Sequence, residues 1–165
     1  MKKIDLSQAN IEPFEKIGKE WMLITAGDSE DCNTMTASWG FMGVIWGKDA
    51  AEVVVRHSRY TYEFMEREGL FTLSFFREKY REVLSYCGSM SGRDTDKIAD
   101  MKLTPVDIDG TVGFKEAYLT LVCRKMYAAD IDTSSLAESE QHFYDNDALH
   151  KMYIGEIISV YTGEE

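Results

Sequence analysis

Arg56-His57-Ser58-Arg59-Tyr60-Thr61 sets two arginines and three hydroxyl side chains in six residues of a chain whose formal net charge is -11. Guanidinium and hydroxyl donors at that density suit a phosphate. The preceding Val53-Val54-Val55 is β-branched and reads as strand. Residues 59–67 hold no proline or glycine, so a helix is expected there, with Ser58 near its N-cap. Amides of a first helical turn have no intrahelical partner, and the helix dipole favours an anion at that end. If the strand runs on to Ser58, its period of two places Arg56 and Ser58 on one face, roughly 6–7 Å apart, close enough to grip one phosphate. The plainer reading is a capped helix beside two solvated arginines, and this segment alone does not choose between them.

Two more stretches carry donors that suit a larger ligand. Asn33-Thr34-Met35-Thr36-Ala37-Ser38-Trp39 alternates Thr34, Thr36 and Ser38 with Met35, Ala37 and Trp39, after a loop of Gly27-Asp28-Ser29-Glu30-Asp31. Small side chains beside an aromatic let backbone N–H and C=O groups approach a flat heteroaromatic ring, helped by the hydroxyls of Thr36 or Ser38. A strand with one solvated face explains the same pattern. In Cys87-Gly88-Ser89-Met90-Ser91-Gly92-Arg93-Asp94-Thr95-Asp96-Lys97, two glycines free the backbone while Ser91, Arg93 and Lys97 offer donors to an anion. Read more simply, it is a polar loop that ends a helix.

The elements that must position these residues are mostly strands. Trp21-Met22-Leu23-Ile24-Thr25-Ala26 is a short apolar run ending at Gly27-Asp28. Further strands are expected over 33–39, 43–46, 52–57, 71–75, 119–124 and 153–161. A second helix is expected over 78–87, where Tyr80, Val83, Leu84 and Cys87 fall at i, i+3, i+4 and i+7. That stripe makes Cys87 a packed core residue rather than a nucleophile. Many short strands with few helices predict a mainly β barrel or sandwich.

At 165 residues, 44% hydrophobic and 28% charged, the chain is ordinary for one globular domain. Its opening residues are too polar for a secretory segment, and no apolar run approaches a membrane span, so a cytoplasmic protein is expected. Cys32, Cys87 and Cys123 are odd in number and widely spaced, and His57, His142 and His150 show no HxxxH or HxH spacing, so neither a disulfide framework nor a metal site is expected. Acidic residues number 29 against 18 basic, which argues against nucleic acid or anionic membrane as partners and reserves the basic run at 56–61 for a small anion.

Taken in order, Asn33-Thr34-Met35-Thr36-Ala37-Ser38-Trp39, Arg56-His57-Ser58-Arg59-Tyr60-Thr61, the run from Cys87 to Lys97, and His150-Lys151-Met152-Tyr153-Ile154-Gly155-Glu156-Ile157 resemble the flavin reductase-like family of FMN-binding split β-barrel proteins, which includes the flavoredoxins. The resemblance implies a split β-barrel with a few helices, a single FMN-binding domain over residues 1–165, and a homodimer with FMN near the subunit interface. It also implies that Met35, Thr36, Ala37, Ser38 and Trp39 lie along the isoalloxazine, largely through backbone groups. Arg56, Ser58, Tyr60 and Thr61 would hold the phosphate and ribityl chain. Ser91, Gly92 and Arg93, together with Lys97, would close over the cofactor, and His150 would sit near the flavin as the catalytic candidate. His57 receives no role. The implied activity is hydride transfer from NADH or NADPH to FMN, then passage of electrons to a small molecule or redox protein. No Rossmann G-x-G-x-x-G is present, which leaves a transient stacked nicotinamide. The alternative is a flavoredoxin-like FMN electron carrier that does not oxidise NAD(P)H itself, its acidic surface serving to dock a basic partner. A heme or pyridoxal phosphate binder is the third reading, and for heme none of the histidines has a diagnostic axial setting.

Overall fold

The computed structural model describes residues 1–163. Its strands are β1 (Lys2–Ile4), β2 (Met22–Gly27), β3 (Cys32–Ala37), β4 (Gly40–Ile45), β5 (Lys48–Arg56), β6 (Leu70–Phe75), β7 (Pro105–Ile108), β8 (Thr111–Phe114), β9 (Leu119–Asp130) and β10 (His150–Thr162). The helices are α1 (Tyr60–Arg67), α2 (Arg81–Ser89), α3 (Lys97–Asp100) and α4 (Glu138–Gln141), with a wide helical turn at Phe14–Glu20. Eight strands form one antiparallel sheet in the order β3-β2-β6-β9-β10-β5-β4, and β1 pairs with the far end of β10. The architecture is mainly β, a sheet curled into a barrel that stays open between β3 and β4. Register shifts between Ile154 and Gly155, and again between Ile157 and Ser159, interrupt the β9–β10 ladder. Such bulges bend and twist the paired strands, which helps the sheet curl.

Alternation decides what faces inward. On β5, Ala51, Val53 and Val55 are buried while Glu52, Val54 and Arg56 alternate with them on the outer face. The inward residues join Met22, Ile24, Phe71, Leu73, Phe75, Leu121, Cys123 and Tyr153 in the main core. A second core lies on the other side of β2, where Leu23 packs with Phe76, Val83, Leu84, Cys87, Leu103 and Phe114. Burying both faces of β2 is what keeps α2 beside β3.

Several boundaries differ from expectation. β5 ends at Arg56, because His57 and Ser58 turn the chain, with the Arg59 amide bonded to the Arg56 carbonyl at 3.0 Å. Arg59, not Ser58, is the residue ahead of α1, and its side chain makes no cap bond. The second helix opens as a tight turn at Glu78–Tyr80 and continues as α2 to Ser89, two residues past the expected end. Its stripe is as read, with Val83, Leu84 and Cys87 buried and Tyr80 packed against them. β9 runs six residues beyond Arg124 because it pairs with β10 along that length. The hairpin β7–β8, strand β1 and the helical turn at Phe14–Glu20 were not anticipated. No helix among the described residues is long and apolar enough to cross a membrane.

Candidate functional site

Two adjoining hollows lie where β3, the end of β5, α1 and the loop after α2 meet. The more polar one, about 340 Å³, is lined by Arg56, Ser58, Arg59, Tyr60, Thr61, Lys97, Asp147 and the loop residues Ser89, Met90, Ser91 and Gly92. The flatter one, about 170 Å³, is lined by Met35, Thr36, Ala37, Ser38, Trp39, Val54, Arg56, Arg59 and His150. Met35, Arg56 and Arg59 border both, so the two are continuous.

The polar hollow is held open by contacts made before any ligand arrives. With its amide oxygen turned toward α1, Asn33 accepts from the Thr61 hydroxyl at 2.7 Å and from the Thr61 amide at 3.1 Å, tying β3 to the first turn of the helix. Gly92 lies flat against this clasp, and a Cβ there would fall 2.1 Å from the Asn33 carboxamide. Arg59 donates to the Gly88 carbonyl at 2.5 Å, anchoring the loop from the other side. Lys97 forms the floor. It is 4% exposed and donates to the Thr34 carbonyl at 2.5 Å and the Cys87 carbonyl at 3.2 Å. Burial pushes its pKa down to about 8, and no carboxylate is among its hydrogen-bond partners, although a buried ammonium normally has one.

The flat hollow lies along the edge of the sheet. β3 is an end strand, paired only with β2, so the backbone groups on its other side find no strand partner. Lys97 reaches the Thr34 carbonyl on that side, and the antiparallel period of two turns the Thr36 backbone groups the same way. The Thr36 hydroxyl is spent on the Leu84 carbonyl at 2.5 Å, which leaves the backbone of β3 as the donor edge. His150 pairs with Arg56 across β5 and β10 and is 6% exposed. Its Nδ1 is 3.0 Å from the Tyr144 hydroxyl, and its ring lies 5.4 Å from that of Trp39. Burial, reinforced by the Arg56 charge, holds its pKa down at about 4, so the ring is neutral at pH 7.

Most of the residues singled out from the sequence converge here. Met35, Thr36, Ala37, Ser38, Trp39, Arg56 and His150 border the flat hollow, and Arg56, Ser58, Tyr60, Thr61, Ser91, Gly92 and Lys97 the polar one. Arg93 points elsewhere. It donates to the Ser58 carbonyl at 3.0 Å, pairs with Glu63 at 2.5 Å and covers the Tyr60 ring, bracing the loop from outside. It lines an adjoining acidic depression that holds Asp31, Asp94 and Asp96 and shares Tyr60, Gly92 and Lys97 with the polar hollow. His57 reaches Asp130 at 2.7 Å and borders neither hollow. Arg59, named in the basic run but assigned no contact of its own, belongs to both hollows. A strand continued to Ser58 turns residue 59 away from Arg56, whereas the turn at 57–58 brings the two guanidinium groups to one hollow. Asp147 was missed because nothing in its local sequence links it to position 56.

The fold has close counterparts. Flavoredoxin from Methanosarcina acetivorans superposes with a TM-score of 0.71 at 24% identity, covering 88% of this chain and 69% of that one. The FMN-binding domain of a flavin reductases-like enzyme from Shewanella baltica OS155 gives 0.71 at 19% identity, covering 98% and 76%. Nitrilotriacetate monooxygenase component B from Bacillus cereus gives 0.68 at 18%, covering 99% and 82%. At these identities the likeness shows the fold, a split β-barrel. A comparison with curated protein sequences returned no match. The model of the flavin reductase like domain matches residues 14–165, nearly the whole of the barrel and both hollows, and the chain belongs to that family.

Proposed function

We propose that the chain, as one domain over residues 1–165, binds FMN across the two hollows and acts as a flavin reductase-type oxidoreductase. Hydride would come from NADH or NADPH, and electrons would pass on to a small molecule or redox protein. The observation that carries this reading is Lys97, an ammonium buried on carbonyl oxygens alone, at the floor of a hollow shared with Arg56 and Arg59. Three cations around one cavity in a chain of net charge -11 call for an anion. The adjoining flat hollow, with its strand edge and Trp39, suits the ring to which such a phosphate is attached.

FMN, when bound, supplies hydride chemistry without a protein nucleophile. The chain's task is then to bind and orient. Arg56, Arg59 and Lys97 would hold the phosphate, with the hydroxyls of Ser58 and Ser91 in reach. Tyr60 and Thr61 would border the ribityl chain, and the backbone of Met35, Thr36, Ala37, Ser38 and Trp39 would meet the ring edge. His150 would stand at the ring as a hydrogen-bonding group, its neutral form favoured by burial and by the Arg56 charge. A second copy of the chain is proposed to cover Phe41, Val44 and Trp46, which are 74%, 74% and 62% exposed. The three free thiols fit a reducing, cytoplasmic setting.

The test begins with the absorbance spectrum of the purified protein and a titration with FMN and riboflavin. A flavin band, or uptake of added FMN, is expected. Arg56→Ala should weaken FMN by roughly 1.5–3 kcal/mol, as for a lost charge-assisted hydrogen bond, and leave riboflavin binding nearly unchanged. A colourless protein that takes up no FMN overturns the proposal. Stopped-flow mixing with NADH and NADPH then tests the donor. Flavin that dithionite reduces but neither nicotinamide does would mark an electron carrier instead.

A further inference from the structure

We infer that Asp147 is a resident counter-ion of the polar hollow, and that residues 131–149 form a strap which an arriving phosphate displaces from Arg56. The inference rests on the reading of this hollow as a phosphate site.

Asp147 is the one acid that lines a cavity otherwise bordered by Arg56, Arg59 and Lys97. Its carboxylate lies 3.1 Å from Nη1 of Arg56. The same guanidinium donates from Nη1 to the Ala148 carbonyl at 2.9 Å and from Nη2 to the Phe143 carbonyl at 3.3 Å. A guanidinium has five N–H donors in a fixed fork, and three of its acceptors here come from six residues of the strap. Two further side-chain anchors of that stretch fall on the other hollow. Phe143 packs edge-on against Trp39 with ring centres 5.2 Å apart, and the Tyr144 hydroxyl meets Nδ1 of His150.

Beyond these side-chain contacts the stretch is fastened at its two ends, where the Ile131 amide donates to the His150 carbonyl at 3.0 Å and the Leu149 carbonyl accepts from the His57 amide at 3.1 Å. No residue between 131 and 149 is buried, and α4 contributes no core side chain. The Asp147 side chain is 53% exposed, and an ion pair that open to water is worth little. A phosphate offers Arg56 a doubly charged acceptor, while the Asp147 carboxylate beside it becomes a like charge. Ligand and strap therefore compete for one guanidinium. Phosphate affinity is lower than the three cations would give alone, and binding frees the strap from Arg56, Trp39 and His150 together.

The full chain, stripped of flavin, is titrated with FMN and riboflavin by flavin fluorescence, as wild type and as Asp147→Asn. Because Asp147 is exposed, the substitution should leave the fold intact, which a melting curve checks. The expected result is FMN binding tightened about 3- to 10-fold at low salt, the range of a modest charge repulsion removed, with riboflavin unchanged. Unchanged or weaker FMN binding overturns the inference, the latter showing that Asp147 orients Arg56 for the ligand. Amide hydrogen exchange gives the second readout: on adding FMN, residues 143–148 should exchange faster, and slower exchange would show a strap that closes over the ligand. If wild type takes up no FMN, the cofactor reading has failed on its own. Inorganic phosphate then replaces it as the probe, and Asp147→Asn should show the larger rise in melting temperature; an equal or smaller rise overturns the counter-ion role.

Discussion

Lys97 shows how a single buried charge can report on a ligand. Its pKa, brought to about 8 by burial, means that near pH 8.5 much of the free protein carries a neutral amine at the floor of the hollow. A phosphate beside it favours the ammonium and raises that value, so binding takes up a proton wherever the free lysine has begun to lose its own. Once the phosphate is a dianion, above about pH 7, affinity holds up to about pH 8 and declines as pH rises through that value. Calorimetric titration with FMN at pH 8.5, in two buffers of different ionisation enthalpy, should give different apparent enthalpies that correspond to net proton uptake. Equal enthalpies would show that Lys97 does not meet the phosphate. Neighbouring Cys87 behaves oppositely, its thiol pushed up to about 11 by burial, which suits the packed role its helical stripe predicts. At this scale the sequence was informative about residue type and poor about aim. Arg56 and Lys97 are visible as donors in an acidic chain, but the strand carbonyl that holds Lys97, and the outward turn of Arg93 to Glu63, depend on segments tens of residues away.

The elements divide according to how locally they are specified. β5 could be read because Ala51, Val53 and Val55 alternate with outward residues, and α2 because its apolar stripe keeps helical spacing. The β7–β8 hairpin was also legible in principle, since Asp109-Gly110 at its turn takes φ of 46° and 82°, the left-handed pair of a tight hairpin turn. Flanking strands of only four residues hid it. The extra length of β9 and the pairing of β1 with β10 had no local signal, because both are set by distant partners. The loop after α2 depends on distant partners too. Its glycine at 92 is required by space, with Asn33 and the Tyr60 ring too near to admit a methyl group. Gly92→Ala should therefore force apart the Asn33–Thr61 clasp, costing about 1–3 kcal/mol as overpacking does, and weaken FMN binding with it. Gly88→Ala, whose methyl would lie 3.3 Å from the Thr36 side chain, is the milder comparison. Melting curves of both variants check this, and equal midpoints for Gly92→Ala and wild type would remove the clasp from the account.

For the whole molecule, the open end of the barrel raises the question of what covers β4. Its outer edge has no strand partner, and Phe41, Val44 and Trp46 stand exposed along it, a combination that invites association. Glu52 sits on the same face as Phe41, paired in register with it on one side and with Ile154 on the other, whereas Val44, paired with Asp49, is on the opposite face of the strand. Its carboxyl is pushed up to about 7 by burial, and Oε2 is shut off from solvent without a hydrogen-bond partner. Among the charged groups on this face, Glu156, two positions along β10 from Ile154, is paired with both Lys48 and Arg124, and Arg56 is held by Asp147 on the far side. A second copy laid over β4 would bury Glu52 further and favour its neutral form, so association takes up protons and weakens as pH rises through about 7. Salt gives a second sign, since two chains of net charge -11 repel and screening should tighten the pair, whereas docking to a basic redox partner would loosen. Sedimentation should find a dimer in the wild type that is tighter at pH 6 than at pH 8, a dimer largely indifferent to this pH change for Glu52→Gln, and a monomer for Phe41→Lys with an unchanged melting profile. A folded Phe41→Lys protein that stays dimeric would place the interface on another face and leave β4 to a different partner.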